Sequence, residues 1–287
     1  MNHPLGSKTN ATVWVVENGQ RRSRSDRLAT EEPLELRLLR PARTLAVTMR
    51  TPGADFELAA GFLYGEGIVS DRADILRMSY CVDRDVDGDR RHNIVNVELR
   101  QGLDVDLAPL ERHFYTTSAC GVCGKASIEA LRLRECPPLP TGIAVSPSTI
   151  YRLPEQLRSA QGIFKATGGL HAAALFDLDG NLLQAREDVG RHNALDKLVG
   201  AALLAGELPW SDRIVMVSGR CSFELVQKCI AAGGPILCAV SAPSSLAVAT
   251  ARDFGLTAIG FLRGQRFNLY SGAERIQSED LRSTAAP

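Results

Sequence analysis

Ile214-Val-Met-Val217, Phe223-Glu-Leu-Val-Gln-Lys-Cys-Ile-Ala-Ala232, Ile236-Leu-Cys-Ala-Val240, Leu246-Ala-Val-Ala-Thr-Ala-Arg-Asp-Phe254 and Leu256-Thr-Ala-Ile-Gly-Phe-Leu262 follow one another in the last third of the chain. Short continuous apolar runs alternate with helix-length segments. Strands that are apolar throughout are buried on both faces, so the pattern predicts a parallel sheet covered by helices. Its connections should be right-handed. In such sheets ligands sit beyond the carboxyl ends of the strands. Those ends carry Ser218-Gly-Arg220, Ser241-Ala-Pro-Ser-Ser245 and Arg263-Gly-Gln-Arg266. Two of the three open helices and offer free N–H groups beside hydroxyls, and arginine forks onto phosphate. One such loop would read as helix capping; three on one sheet edge predict an anionic ligand. Neither G-x-x-x-x-G-K-[ST] nor a strand-borne G-x-G-x-x-G is present, which disfavours a nucleotide hydrolase and a dinucleotide-binding Rossmann site.

Working outward, Glu187, Asp188, Arg191 and His192 form a polar knot between a strand and a helix predicted over 194–204. The knot reads as a cap network or a ligand-facing cluster, and the second is preferred. His171 opens a strand, and Asp179-Gly180 joins His171–Leu178 to Asn181–Arg186 as a hairpin. Leu153–Ala160 reads as a short helix, with Pro154 in its first turn. Cys136-Pro-Pro-Leu-Pro140 is stiff and helix-breaking, and marks a domain boundary. Before it, Leu34–Leu39 with Leu45–Met49, a helix around Phe56–Leu63, and strands at Ile75–Val82 and Ile94–Leu99 predict a small α+β unit. Asp83-x-Asp85-x-Asp87-Gly88 begins like a calcium loop, but Ile94 stands where the bidentate Glu should be, and calcium is rejected. Residues 1–10 read as a disordered start, Thr12–Val16 as a strand and Arg21–Arg27 as a solvated loop. The predicted division is an extension (1–30), an α+β domain (31–140), an α/β domain (141–276) and a disordered tail (277–287).

Thr117-Ser-Ala-Cys-Gly-Val-Cys-Gly-Lys-Ala-Ser-Ile-Glu129 carries the reactive chemistry. Cys120 and Cys123 precede a predicted helix, where the macrodipole and Lys125 favour a thiolate. Gly121 and Gly124 let another molecule approach the sulfurs. A single C-x-x-C is compatible with metal, redox or sulfur chemistry.

The chain of 287 residues balances 33 basic with 33 acidic residues, so bulk nucleic-acid binding is not expected. No apolar run is long enough to span a membrane, and no apolar signal core precedes Asn10. Seven cysteines, an odd number, fit reduced thiols in the cytoplasm better than a disulfide framework.

Thr117–Glu129, Thr167–Asp177, Arg186–Lys197, Ser218-Gly-Arg220 with Ser222–Lys228, Ala242–Val248, and Arg50-Thr-Pro-Gly53 with Gly61–Gly67 together resemble the formate dehydrogenase accessory sulfurtransferase family, FdhD. The resemblance covers about residues 30–272. It implies a C-terminal domain similar to cytidine deaminases, with three α/β/α layers, and a homodimer. It also implies a sulfur carrier loaded as a persulfide by a cysteine desulfurase. The acceptor would be the molybdenum (or tungsten) bis-guanine-dinucleotide cofactor of formate dehydrogenase. On the matching positions Cys120 would hold the persulfide and Cys123 would assist. Phe261, Leu262, Arg263, Gly264, Gln265 and Arg266, with Ser218, Arg220 and Ser244, would bind the cofactor, and no metal of the protein's own is implied. Cys221 stands where a small non-thiol residue is expected.

Two rivals are weaker. A zinc deaminase needs H-x-E followed by P-C-x-x-C; His171 is followed by Ala172-Ala173, and Ala119 precedes Cys120. A structural zinc module using Cys81, Cys120, Cys123 and Cys136 would have one close cysteine pair where such sites use two.

Overall fold

The computed structural model describes residues 6–83, 85–103 and 136–277. The fold is mixed α/β, as expected. The described residues fall into two compact units: 6–103 with 161–172 and 186–206, and 136–160 with 173–185 and 207–277. Among the described residues no helix is long and apolar enough to cross a membrane.

The first unit opens with β1 (Lys8–Glu17) and β2 (Gln20–Ala29), an antiparallel ribbon in unbroken register. Its turn, Asn18-Gly19, has φ values of 51° and 76°. That left-handed pair is what a two-residue hairpin needs and what Asn-Gly tolerates. The solvated loop expected at Arg21–Arg27 is thus a strand. Its residues are exposed except Asp26, which is half-buried, so no apolar alternation marks it. Lys8–Asn10, expected as part of a disordered start, belong to β1.

Next come β3 (Glu32–Leu39), β4 (Ala42–Arg50), α1 (Asp55–Gly65), β5 (Ile75–Tyr80), the one-turn α2 (Gly88–Arg91) and β6 (Ile94–Leu99). The sheet order is β4-β3-β6-β5, with β3 and β6 parallel. Leu34, Leu36 and Leu38 alternate with Glu35 and Arg37, and this period of two buries one face.

Past the undescribed segment come α3 (Pro147–Ala160), α4 (Gly162–Thr167), β7 (His171–Phe176), β8 (Leu182–Asp188) and α5 (Arg191–Ala205). The last third supplies β9 (Ile214–Val217), α6 (Phe223–Ala231), β10 (Ile236–Ala239), α7 (Ser245–Asp253), β11 (Thr257–Arg263) and β12 (Arg266–Ser271).

Two of these elements return to the first unit, against the predicted linear division. α4 touches β2, and α5 packs along α1. The α1–α5 contact is main chain on main chain. A Cβ on Gly61 would lie 1.8 Å from the Asp196 carbonyl oxygen, and one on Gly200 would lie 1.8 Å from that of Glu57. Periodicity shows that a helix has an apolar face; it does not say which helix that face meets.

The second unit is built on a six-stranded sheet of order β12-β11-β10-β9-β7-β8. β9, β10 and β11 are parallel, as the alternating pattern predicts, while β7 and β12 flank them antiparallel. α6 and α7 lie side by side, and α3 packs on β9 and β11. α3 begins at Pro147 rather than at Leu153, with Ser146 accepting from the Thr149 amide at 3.1 Å. Pro154 therefore sits mid-helix, where it removes one backbone bond. Fully buried Ile150, Leu153 and Leu157 hold the helix together across it. The Pro-rich stretch predicted as a linker is docked: buried Arg275 donates to the Pro140 carbonyl at 2.7 Å and to that of Gly255 at 2.7 Å.

Candidate functional site

The carboxyl ends of β9, β10 and β11 meet at one edge of the sheet, and main-chain hydrogen bonds join their loops. The Phe261 amide donates to the Ser241 carbonyl at 3.2 Å, and the Ser241 amide donates to the Gly219 carbonyl at 3.3 Å. The Cys221 amide donates to Ala242 at 3.1 Å, and the Ser244 amide donates back to Cys221 at 3.0 Å. β11 passes close beneath: a Cβ on Gly260 would stand 3.0 Å from both Pro243 and the Tyr270 ring. The predicted rim is therefore one continuous surface of the second unit.

Its side chains divide by burial. Arg220, Ser244, Arg263, Gly264, Gln265 and Arg266 are exposed, and Ser218 is half-buried. Ser244 caps α7, its hydroxyl accepting from the Ala247 amide at 3.2 Å. Phe261 adopts φ 53° at a register shift in the β11–β12 ladder, and its ring is 39% exposed. Leu262 is fully buried, so only its main chain is left to offer a ligand. Arg263 and Arg266 are direct cross-strand partners around the Gly264-Gln265 turn. Like charges placed directly opposite destabilise a strand pair, and an anion between them removes the repulsion.

Cys221 lies just under this surface at 2% exposure, and burial pushes its thiol up to about 12. It is a neutral, small apolar residue at neutral pH rather than an extra nucleophile. Burial likewise pushes up the thiols of Cys229 and Cys238. Cys120, Cys123 and Lys125 lie outside the described residues, as does the predicted tail beyond Gln277.

The polar knot belongs to the first unit, and two of its members turn inward. Glu187 accepts from the Ile163 and Phe164 amides at 3.0 and 2.7 Å, capping α4. Asp188, fully buried, pairs with Lys197 Nζ at 2.6 Å and accepts from the Thr51, Gly190 and Asn193 nitrogens at 3.1, 2.8 and 3.0 Å. The ligand-facing reading preferred for the knot gives way, at these two residues, to structural anchoring. Every oxygen of Asp188 is satisfied within the protein, which leaves none for a ligand.

These features define a class: a mixed α/β protein with an arginine- and serine-lined rim at its sheet edge. The chain belongs to the FdhD/NarQ family, whose model matches residues 29–277. It is 51% identical over 270 residues to a sulfur carrier protein FdhD of Streptomyces coelicolor, covering 92% of this chain and 94% of that one. It is 45% identical to a protein of the same name from Sulfurisphaera tokodaii, over 92% of this chain and 97% of the other. A crystal structure from Desulfotalea psychrophila, described as a proposed formate dehydrogenase accessory protein, superimposes with a TM-score of 0.74 at 26% identity. That match covers 94% of this chain and all of the other.

Proposed function

We propose that this chain is a sulfur carrier that serves formate dehydrogenase. Cys120 takes sulfur from a cysteine desulfurase: its thiolate attacks the outer sulfur of the donor's persulfide, the donor thiolate leaves, and a persulfide forms on Cys120 with no net oxidation. Cys123 then attacks the inner sulfur and expels hydrosulfide toward the acceptor. A Cys120–Cys123 disulfide results, for a cellular dithiol to reduce. The acceptor is a molybdenum bis-guanine-dinucleotide cofactor, a substrate of the transfer, held by Ser218, Arg220, Ser244 and the Phe261–Arg266 turn. The observation that carries this reading is the sheet edge whose hydrogen-bonded loops carry the exposed Arg220 and lead into the turn with exposed Arg263 and Arg266. Guanine dinucleotides bring phosphates, which arginine binds in paired hydrogen bonds.

Intact mass after incubation with a cysteine desulfurase and cysteine tests the proposal. A gain of one sulfur, reversed by reductant and lost in Cys120→Ala, is expected. Near-stoichiometric zinc that stays bound, with no sulfur gain, would replace the proposal with a zinc-binding module.

A further inference from the structure

The β1–β2 ribbon has two unlike faces. Register places Thr9, Ala11, Val13, Val15 and Glu17 on one face with Arg22, Arg24 and Asp26. On that face Ala11, Val13 and Val15 are half-buried, and the charges pair off: Arg22 with Glu17 at 3.3 Å and Arg24 with Asp26 at 3.6 Å. The opposite face carries Lys8, Trp14, Val16, Arg21 and Arg27, all exposed. Trp14 is 62% and Val16 67% exposed, and the Arg21 guanidinium stacks over the indole at 4.6 Å. No acidic residue shares this face, and none of its cations has an ion-pair partner among the described residues. An aromatic and a valine left in water beside three unpaired cations are a poor design for a surface that meets only solvent.

We infer that the outer face of the ribbon docks an extended, acidic segment of a partner protein. Acidic side chains would meet Lys8, Arg21 and Arg27, while an apolar side chain between them covers Trp14 and Val16. Among the described residues β1 pairs only with β2, so its outer edge offers main-chain donors and acceptors to an added strand. A second copy of this chain is the wrong occupant, because two such faces would set like charges against each other. Nucleic acid is also a poor fit. Three cations and one ring fall short of the six to ten phosphate contacts, or about that, and of the successive stacking platforms that such ligands use. The inference lies outside the matched family stretch, which begins at residue 29, and is independent of the sulfur chemistry.

The test titrates the full chain with a short labelled peptide that alternates glutamate with threonine and carries valine in place of its central glutamate. Its glutamine counterpart and a single-stranded oligodeoxynucleotide run in parallel. Trp14 emission should shift to the blue as the acidic peptide binds, and binding should weaken with added salt. The double variant Arg21→Glu, Arg27→Glu should bind about tenfold more weakly or worse. Lys8→Glu, which leaves the Trp14 stack alone, should lose affinity in the same direction. The inference fails if the acidic peptide does not bind, if the charge reversals leave its affinity unchanged, or if the glutamine peptide binds equally well. It also fails if the oligonucleotide binds more tightly through these residues.

Discussion

The two units place their charges in opposite ways. In the first, charge is inside. Arg50 is fully buried and forks onto Asp55 at 3.1 and 3.0 Å, with Asn93 at 3.0 Å; Lys197 is buried against Asp188 and the Thr51 carbonyl. In the second, β9 and β10 are wholly buried and apolar, and the arginines of the rim stand in water. Buried Arg275 and Lys228 are exceptions, and the partners of Arg275 are mostly neutral carbonyls. Both units are assembled from three separated chain segments; the first joins its segments through buried polar contacts such as Asp188 with Lys197 and Thr51, and a buried ion pair penalises every wrong packing. A sheet of consecutive crossovers needs only burial, so the arginines at its rim are left for a ligand. The lesson is that an arginine's work is read from its burial: Arg50 holds the fold, and Arg263 is available to bind.

Four measurements would break or sharpen that contrast. The largest effect is expected for Arg50→Ala, which leaves Asp55 buried without its partner. Chemical denaturation should show a loss of about 3–5 kcal/mol. A loss below about 1 kcal/mol would mean that water reaches the pair and that the first unit does not depend on it.

Gly200→Ala comes next. Its methyl must push α1 and α5 apart at a backbone contact, at a cost of about 1–3 kcal/mol or more. The same substitution at Gly264, exposed with φ 53° in the rim turn, meets no neighbouring atom and strains only the left-handed backbone, so it should cost less. Equal costs would show that the helix crossing relaxes easily.

Tyr80 supplies a pH test. Burial, followed by the adjacent Asp55 carboxylate, pushes its phenol up to about 12, and its hydroxyl donates to Asp55 at 3.2 Å. The unfolded phenol loses its proton near 10, so between about 10 and 12 the folded state binds more protons than the unfolded one. Stability therefore falls as pH rises through that window and is untouched below it. Phenolate absorbance should show a late-titrating step, and Tyr80→Phe should remove it. Simultaneous titration of all tyrosines would place Tyr80 in open solvent.

The smallest effect on stability belongs to the rim. Arg263→Ala or Arg266→Ala should change unfolding free energy by no more than about 0.5 kcal/mol. Calorimetry with guanosine diphosphate, used as a cofactor fragment, should nonetheless show a ten- to hundredfold loss of affinity, the equivalent of about 1.5–3 kcal/mol for a charged hydrogen bond. Unchanged affinity in both variants would return the rim to helix capping.

Much of the second unit was legible because its signals are local. The runs Ile214–Val217 and Ile236–Val240, and the serines before α6 and α7, each report their own state within a few residues. The rim followed, since three parallel strands must end on one edge. Leu262 could not be separated from Phe261 and Arg263 in this way. The positive φ at Phe261 and the register shift beside it decide which side chain enters the core. α4 was missed because it is six residues long and owes its cap to Glu187, far along the chain. Arg21–Arg27 was missed because an exposed strand carries no apolar period.

The sequence by itself determined the mixed α/β class, the three converging loops, the C-x-x-C pair and the family likeness. Each rests on residue type and short spacing, which are properties of the chain before it folds. The tertiary structure decided which segments share a unit, that Asp188 is an anchor while Arg263 is exposed, and that Cys221 is a buried neutral thiol. Those outcomes depend on burial and on partners brought from far along the chain: Lys197 to Thr51, Arg275 to Pro140, Gly61 to Gly200. Burial sets whether a charge is paired, solvated or suppressed, and no local pattern encodes it.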